Sequence, residues 1–150
     1  MGYVVRRLRP DEAIKVAPLF DEYRSFYGQP SDIERATAFF TARMEASESI
    51  VYVADDASAA IGFCQLYPSF SSVSVEPILI LNDLFVRADA RERGVGEALV
   101  QAAEALAHKQ EVRRLVLETD QSNGPARALY QRLGWTPNVS ALVFERSVTL

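Results

Sequence analysis

The stretch from Pro77 to Lys109 constrains this chain more than any other. Pro77 to Val86 is a long β-type run in which Ile78-Leu79-Ile80-Leu81 and Leu84-Phe85-Val86 flank Asn82-Asp83. A loop with two glycines follows, Arg91-Glu92-Arg93-Gly94-Val95-Gly96. Behind it Val95, Ala98, Leu99, Ala102 and Leu106 recur at helical spacing. A strand that hands over to a helix through a glycine loop leaves several backbone N–H groups unpaired at the helix start. The helix dipole adds partial positive charge at the same point, so the loop is a seat for phosphate.

Around this unit the remaining pattern predicts alternating elements. Tyr3 to Arg9 reads as a strand, and Pro10-Asp11 opens a helix whose stripe is Val16, Phe20, Tyr23 and Tyr27, with Pro18 a point of kinking. Ser31 and Glu34 have capping-box spacing ahead of a second helix with Ile33, Ala36, Phe40 and Met44 on its buried face. Ile50 to Ala54 and Ala60 to Tyr67 form a hairpin around the turn at 55–58, and a Ser-rich loop spans Pro68 to Glu76. Val112 to Glu118 reads as a buried strand. A short helix then starts near Pro125, with Ala126, Leu129, Tyr130 and Leu133 inward and Gly134 after its last turn. Trp135 to Leu150 reads as one or two further strands. The expected class is α/β (α+β): residues 1–150 as a single domain, with a mixed, mostly antiparallel sheet of six to seven strands and about four helices.

Composition narrows the partners. The 150 residues carry a formal net charge of −4, which lacks the basic face that sequence-independent nucleic-acid binding requires. No apolar run approaches the ~20 residues that span a membrane, and the first residues lack a leader's apolar stretch. Cys64 is the only cysteine, so no intrachain disulfide can form, and a reducing, cytoplasmic setting is expected. His108, the only histidine, falls late in the helix after the glycine loop, where it suits the helix end, and neither a Ser-His-Asp nor a Cys-His enzyme is expected.

The phosphate loop has three competing ligands. A nucleoside-triphosphate loop needs Lys and Ser/Thr after its last glycine, and here Glu97-Ala98 follows Gly96. A dinucleotide loop needs a third glycine, where this chain has Leu99, and a tight turn directly after the strand, where this chain has a long lead-in from Val86 to Gly94. The third ligand follows from two motifs taken together. Asp83 to Val86 followed by Arg91 to Leu99 resembles the acetyl-CoA segment of the GNAT N-acetyltransferase superfamily, whose motif is Gln/Arg-x-x-Gly-x-Gly/Ala after a long strand. Asn123, Ala126, Leu129-Tyr130 and Leu133-Gly134-Trp135 resemble that family's second stretch, Asn-x-x-Ala-x-x-Leu-Tyr-x-x-x-Gly-Phe/Trp. The resemblance is firm over about 78–137. Leu81 to Val86 is nearest in appearance to the diamine and polyamine acetyltransferase branch, with Asn82 standing where that branch has glutamate.

The resemblance implies acetyl-CoA as co-substrate, no metal, and transfer of acetyl to a primary amine of a small molecule: a polyamine, a diamine or an amino-acid-like compound. It implies a sheet splayed at the central strands and, by family habit, a homodimer. Other acceptors remain open: a protein lysine or N-terminus, or no acceptor at all in a silent acyl-CoA-binding module. Backbone N–H groups from Arg93 to Ala98, through Gly94, Val95, Gly96 and Glu97, would seat the pyrophosphate, with Arg91 and Arg93 adding charge. The backbone of Leu84, Phe85 and Val86 would pair with the pantetheine arm. Asp83 and Glu76 are the candidate bases or counter-charges, with Asn82 beside them; Asp83 could equally hold a backbone N–H at a strand irregularity. Tyr130 lies on its helix's inward stripe and would by spacing alone be core; the resemblance makes it the acid for the leaving thiolate. Asn123 is a helix cap by position and a coenzyme contact by resemblance. Tyr23, Tyr27, Tyr67, Phe70 and Glu76 are candidates for the amine pocket, where aromatic faces and a carboxylate suit an alkylammonium ion.

Overall fold

The computed structural model describes residues 2–150; Met1 lies outside them. Contacts divide the chain into two compact units, Met1–Glu118 and Thr119–Leu150. The first unit is built on a sheet with the order β1-β2-β3-β4-β5. The strands are β1 (Tyr3–Arg7), β2 (Ile50–Asp56), β3 (Ala60–Ser71), β4 (Glu76–Val86) and β5 (Leu115–Val116). The first three pairings are antiparallel, and β4 with β5 is parallel. Between β1 and β2 lie a 3-10 turn at Pro10–Glu12, α1 (Ala13–Phe26) and α2 (Ile33–Glu45), and between β4 and β5 lies α3 (Val95–Lys109).

Side chains alternate across a strand, so neighbours in β3 serve different layers. The Phe63 ring packs against Phe20 of α1 and Phe40 of α2. The adjacent Gly62 faces Val95 and Leu99 of α3. The sheet is thus covered by α1 and α2 on one side and α3 on the other. The first layer collects Val16, Leu19, Phe20, Ala36, Phe40, Met44, Val51, Val53, Phe63 and Phe85. Each fully buried aliphatic or aromatic side chain there contributes roughly 1.5–3 kcal/mol. On α2 the buried set is Ala36, Phe40 and Met44, as the four-residue spacing requires, while Ile33 remains exposed.

Local chemistry departs from expectation at several points. The N-cap of α2 is Asp32, whose carboxylate accepts from the Arg35 N–H at 3.1 Å, so the Ser31/Glu34 box does not form. Ser31 instead donates to buried Asp21 at 2.5 Å, tying α1 to the approach of α2. Helix α1 runs through Pro18 as one element. Strands β3 and β4 extend into the expected Ser-rich loop until only 72–75 remain as the turn. Strand β5 is two residues long rather than the seven of Val112 to Glu118, because only Leu115 and Val116 find partners, Leu79 and Ile80, on β4.

The second unit contains α4 (Gly124–Arg132). Asn123 caps it by accepting from the Ala126 N–H at 3.3 Å, and Gly134 takes the left-handed φ of +93° after its end. No strand forms in 135–150, so the sheet has five strands, not six to seven. A strand exists only where its N–H and C=O groups are paired in a ladder. The β-favouring Leu142-Val143-Phe144 is bounded by Glu145-Arg146 and has no such ladder among the described residues.

Candidate active site

The site is organised by a bulge in β4. Gln65 of β3 pairs with Asp83, but the next residue, Leu66, pairs with Leu81, leaving Asn82 as the extra residue. A bulge of this kind reverses the alternation of the strand. Leu79 and Leu81, which pair with Pro68 and Leu66, therefore share the α3 side with Gly62. Asp83 and Phe85, which pair with Gln65 and Phe63, share the side of α1 and α2. Asn82 itself is exposed. The bulge thus places a carboxylate on a face otherwise filled with aromatic rings.

Asp83 is only 2% exposed. Its carboxylate accepts from Asn82 Nδ2 at 2.8 Å and from Gln65 Nε2. The phenol of Tyr23 in α1 also reaches it. Burial pushes the Asp83 carboxyl above the ordinary carboxylate range, and these three donors only partly offset that. Burial likewise raises the phenol of Tyr67, to about 12, with the Asp83 charge adding to the effect. Burial and the same charge raise Tyr23 further still. The Tyr23 hydroxyl donates to the Asn82 carbonyl at 3.2 Å, and its ring meets Tyr27, Phe63 and Phe85 at centroid distances of 5.1, 6.0 and 6.2 Å. Asp83, Asn82, Tyr23, Tyr27 and Tyr67 therefore form one cluster.

Glu76 is elsewhere. It opens β4 opposite Ser71, seven positions before Asp83, roughly 20 Å along the strand. Phe70 is likewise near that end, paired with Pro77 and exposed. A cavity of about 210 Å³ lined by Arg7, Leu8, Met44, Ser49, Ile50 and Pro68 contains none of the candidate site residues.

On the other edge of β4 the ladder is short. Pairing with β5 is confined to Leu79↔Leu115 and Ile80↔Val116, so the two strands part before the Leu84-Phe85-Val86 segment. On the opposite edge those three residues are held by Cys64, Phe63 and Gly62. After Val86, a 3-10 turn at Ala88–Ala90 leads into the glycine loop. Glu92 adopts a φ of +63° and Gly94, the N-cap of α3, +78°. Left-handed positions in so short a loop are the kind of backbone from which anion-binding nests are built. The first turn of α3 leaves the Val95 and Gly96 N–H groups without an intrahelical acceptor. The Ala98 N–H is committed to the Gly94 carbonyl at 3.0 Å, so it is not available as the phosphate donor expected from the sequence. Arg91 donates from Nε to the Val86 carbonyl at 3.0 Å and lies 5.8 Å from the ring centroids of both Phe26 and Phe85. The Arg93 guanidinium lies 5.7 Å from the Tyr3 ring centroid.

In the second unit Tyr130 is half-buried on α4, its ring 5.9 Å from that of Trp135. The Trp135 N–H donates to the Tyr130 carbonyl at 2.9 Å. Asn123 is the α4 cap described above.

Three contributors escape the sequence reading. Gln65 is fully buried and bonds Asp83; the signal was a lone amide two positions from Phe63 in an apolar strand. Gly62 admits the start of α3: a Cβ there would lie 3.1 Å from the Phe85 carbonyl and 3.1 Å from Val95. A glycine inside a strand is the usual mark of such a close approach. Phe26 supports Arg91 across the fold, a contact no local pattern announces.

Residues 16–135 match the sequence model of the Acetyltransferase (GNAT) family. The chain belongs to that family and is an acyltransferase. An uncharacterized N-acetyltransferase, YhfO, of Bacillus subtilis (strain 168) is 45% identical over 131 residues, covering 87% of this chain and 88% of that one. A probable acetyltransferase of Haemophilus influenzae is 35% identical over 133 residues, covering 88% and 89%. A crystal structure of a probable acetyltransferase superposes with a TM-score of 0.89 at 32% identity, over 97% of this chain and 98% of that one.

Proposed function

We propose that the chain transfers the acetyl group of acetyl-CoA to a primary amine of a small molecule, by direct attack in a ternary complex. One observation carries this reading. A buried carboxylate, Asp83, stands next to Leu84–Val86, where β4 has no pairing with β5, and that strand leads through the glycine loop into the start of α3. Pantetheine amides would pair with the Leu84-Phe85-Val86 edge as an added strand. The pyrophosphate would rest on the N–H groups of Gly94, Val95, Gly96 and Glu97, with Arg91 and Arg93 supplying charge.

An alkyl amine of pKa about 10.4 is neutral in only about one part in two thousand at pH 7, so the enzyme must remove a proton. Asp83, buried and therefore more basic than a surface carboxylate, takes that role. Asn82 carries an amide and positions Asp83 through its 2.8 Å bond instead of acting as base. The neutral nitrogen attacks the thioester carbonyl, the C–N bond forms, and a strand N–H near Leu84 holds the oxyanion. The C–S bond then breaks. Tyr130 and Asn123 keep the roles the family resemblance gives them: Tyr130 hands a proton to the thiolate and is reprotonated as the new C–N nitrogen loses its second proton, and Asn123 contacts the coenzyme. Tyr27 and Tyr67 wall the amine pocket, and Glu76 stands at the far end of its approach.

The Leu81–Val86 segment favours a diamine or polyamine acceptor over a protein lysine or N-terminus. The single-domain organisation of residues 1–150 is supported by a family match that runs across both units. A cytoplasmic homodimer completes the proposal. Its test is thiol release from acetyl-CoA across diamines, polyamines, amino acids and lysine peptides. Turnover on a small amine, with Tyr130→Phe slowed by about 10²-fold or more, is expected. Coenzyme binding without turnover on any amine would instead identify a silent acyl-CoA module.

A further inference from the structure

Asp83 is buried too deeply to meet an incoming amine itself, and among the groups that touch it one alone can carry a proton. Asn82 and Gln65 approach it with carboxamides, which neither gain nor lose protons near neutral pH. The third group is the Tyr23 hydroxyl. No arginine, lysine or histidine hydrogen-bonds the carboxylate among the described residues. Gln65 is fully buried, and its Oε1 has no partner, so the carboxamide serves Asp83 through Nε2 alone. Tyr23, in contrast, is only half-buried, and its ring edge abuts Tyr27, which is 51% exposed. Its hydroxyl already sits at the bulge, bonded to the Asn82 carbonyl.

We propose that Tyr23 is a catalytic proton relay between the acceptor amine and Asp83, and that Gln65 is the positioning residue that aims Asp83 at it. This rests on the acetyltransfer reading above and deepens it. The Tyr23 hydroxyl turns from the Asn82 carbonyl to the neighbouring Asp83 carboxylate; the amine N–H bond then breaks as its proton moves to the Tyr23 oxygen, and in the same event the Tyr23 O–H proton moves to an Asp83 oxygen. The nitrogen keeps the electron pair that attacks the thioester. Transfer is concerted because a buried phenol beside a carboxylate does not persist as phenolate. The proton on Asp83 leaves to water by the reverse path after the product departs. The titratable groups facing this pair are Tyr27, just past the end of α1, and Cys64 and Tyr67 of β3, with Arg43 of α2 acting on Tyr67.

The test is a proton inventory on the whole enzyme with its best amine. Wild-type kcat should fall along a bowed curve as the D2O fraction rises, the mark of two protons in flight. Tyr23→Phe keeps the ring packing. It should lose kcat by about 10²-fold or more, hold both KM values within about threefold, and give a straight line. A straight line for the wild type overturns the relay without reliance on any variant. So does Tyr23→Phe with kcat and pH profile unchanged. An enzyme that turns over no amine at all overturns the parent reading, and the relay with it; an active enzyme with an indifferent Tyr23 overturns the relay alone.

Discussion

Asp83 and Glu12 are the two buried carboxylates whose surroundings differ most, and each makes a separate prediction. Asp83 has only amide and phenol donors, so its charged form is held at a cost. Asp83→Asn should lower kcat by about 10²–10⁴-fold while leaving the thermal midpoint at pH 8 unchanged or higher; turnover and a melting curve measure both. Glu12 is a structural counterpart. It takes two bonds from Arg6, both at 2.9 Å, and one from the Arg9 N–H at 3.1 Å, and Arg6 also pairs with Asp55. The Arg6 bonds, then that of Arg9, bring the Glu12 carboxyl down to about 2. A depressed carboxyl contributes stability that is present above its unfolded value and is lost as pH falls through its folded value. Urea midpoints should therefore decline between about pH 4.5 and 2, and Glu12→Gln should flatten that decline. Asp83 and Tyr67 could be picked out in the sequence because the family resemblance singles out the segments that carry them. Their link to Tyr23 and Gln65 could not, because it depends on strand register across a bulge, which shifts pairing by one residue without any local mark.

At the scale of elements, the junction of β3, β4 and α3 sets the geometry of the glycine loop. Gly62→Ala would drive a Cβ to 3.1 Å from both the Phe85 carbonyl and Val95, and the Val95 side chain belongs to the first turn of α3. Such overpacking costs about 1–3 kcal/mol, and coenzyme affinity should fall with it as the helix start is displaced; urea unfolding and calorimetry read the two effects. Gly94 makes a parallel case from the backbone. At a φ of +78°, Gly94→Ala should cost about 1–2 kcal/mol and weaken the seat, again by calorimetry. These elements were legible beforehand because their signals are local: apolar period, glycine position and helix start coincide at 77–109. The tail and β5 were not. Their apolar residues suit strands, but a strand is made by its neighbour. Only two residues of 112–118 and none of 135–150 find one among the described residues.

For the whole molecule, the mixed sheet, the four helices among the described residues and the family match over residues 16–135 define the class, and the pairing of β4 with β5 ends at Ile80↔Val116, before Leu84. The donor side of the chemistry was legible because two motifs lie a fixed distance apart. The proposed acceptor side rests on contacts among α1, β3 and β4 that only the folded chain assembles. The proposed homodimer predicts twice the 16.7 kDa chain mass in sedimentation at micromolar concentration. The central claim, that the loop at 91–97 holds the phosphates of coenzyme A, is tested most directly by titrating the enzyme with coenzyme A and with pantetheine, which shares the thiol arm but has no phosphate. Coenzyme A should bind about 100-fold or more tightly than pantetheine, a difference of ~2.7 kcal/mol that falls with added salt. Equal affinity for the two, or no binding of coenzyme A, would contradict the account.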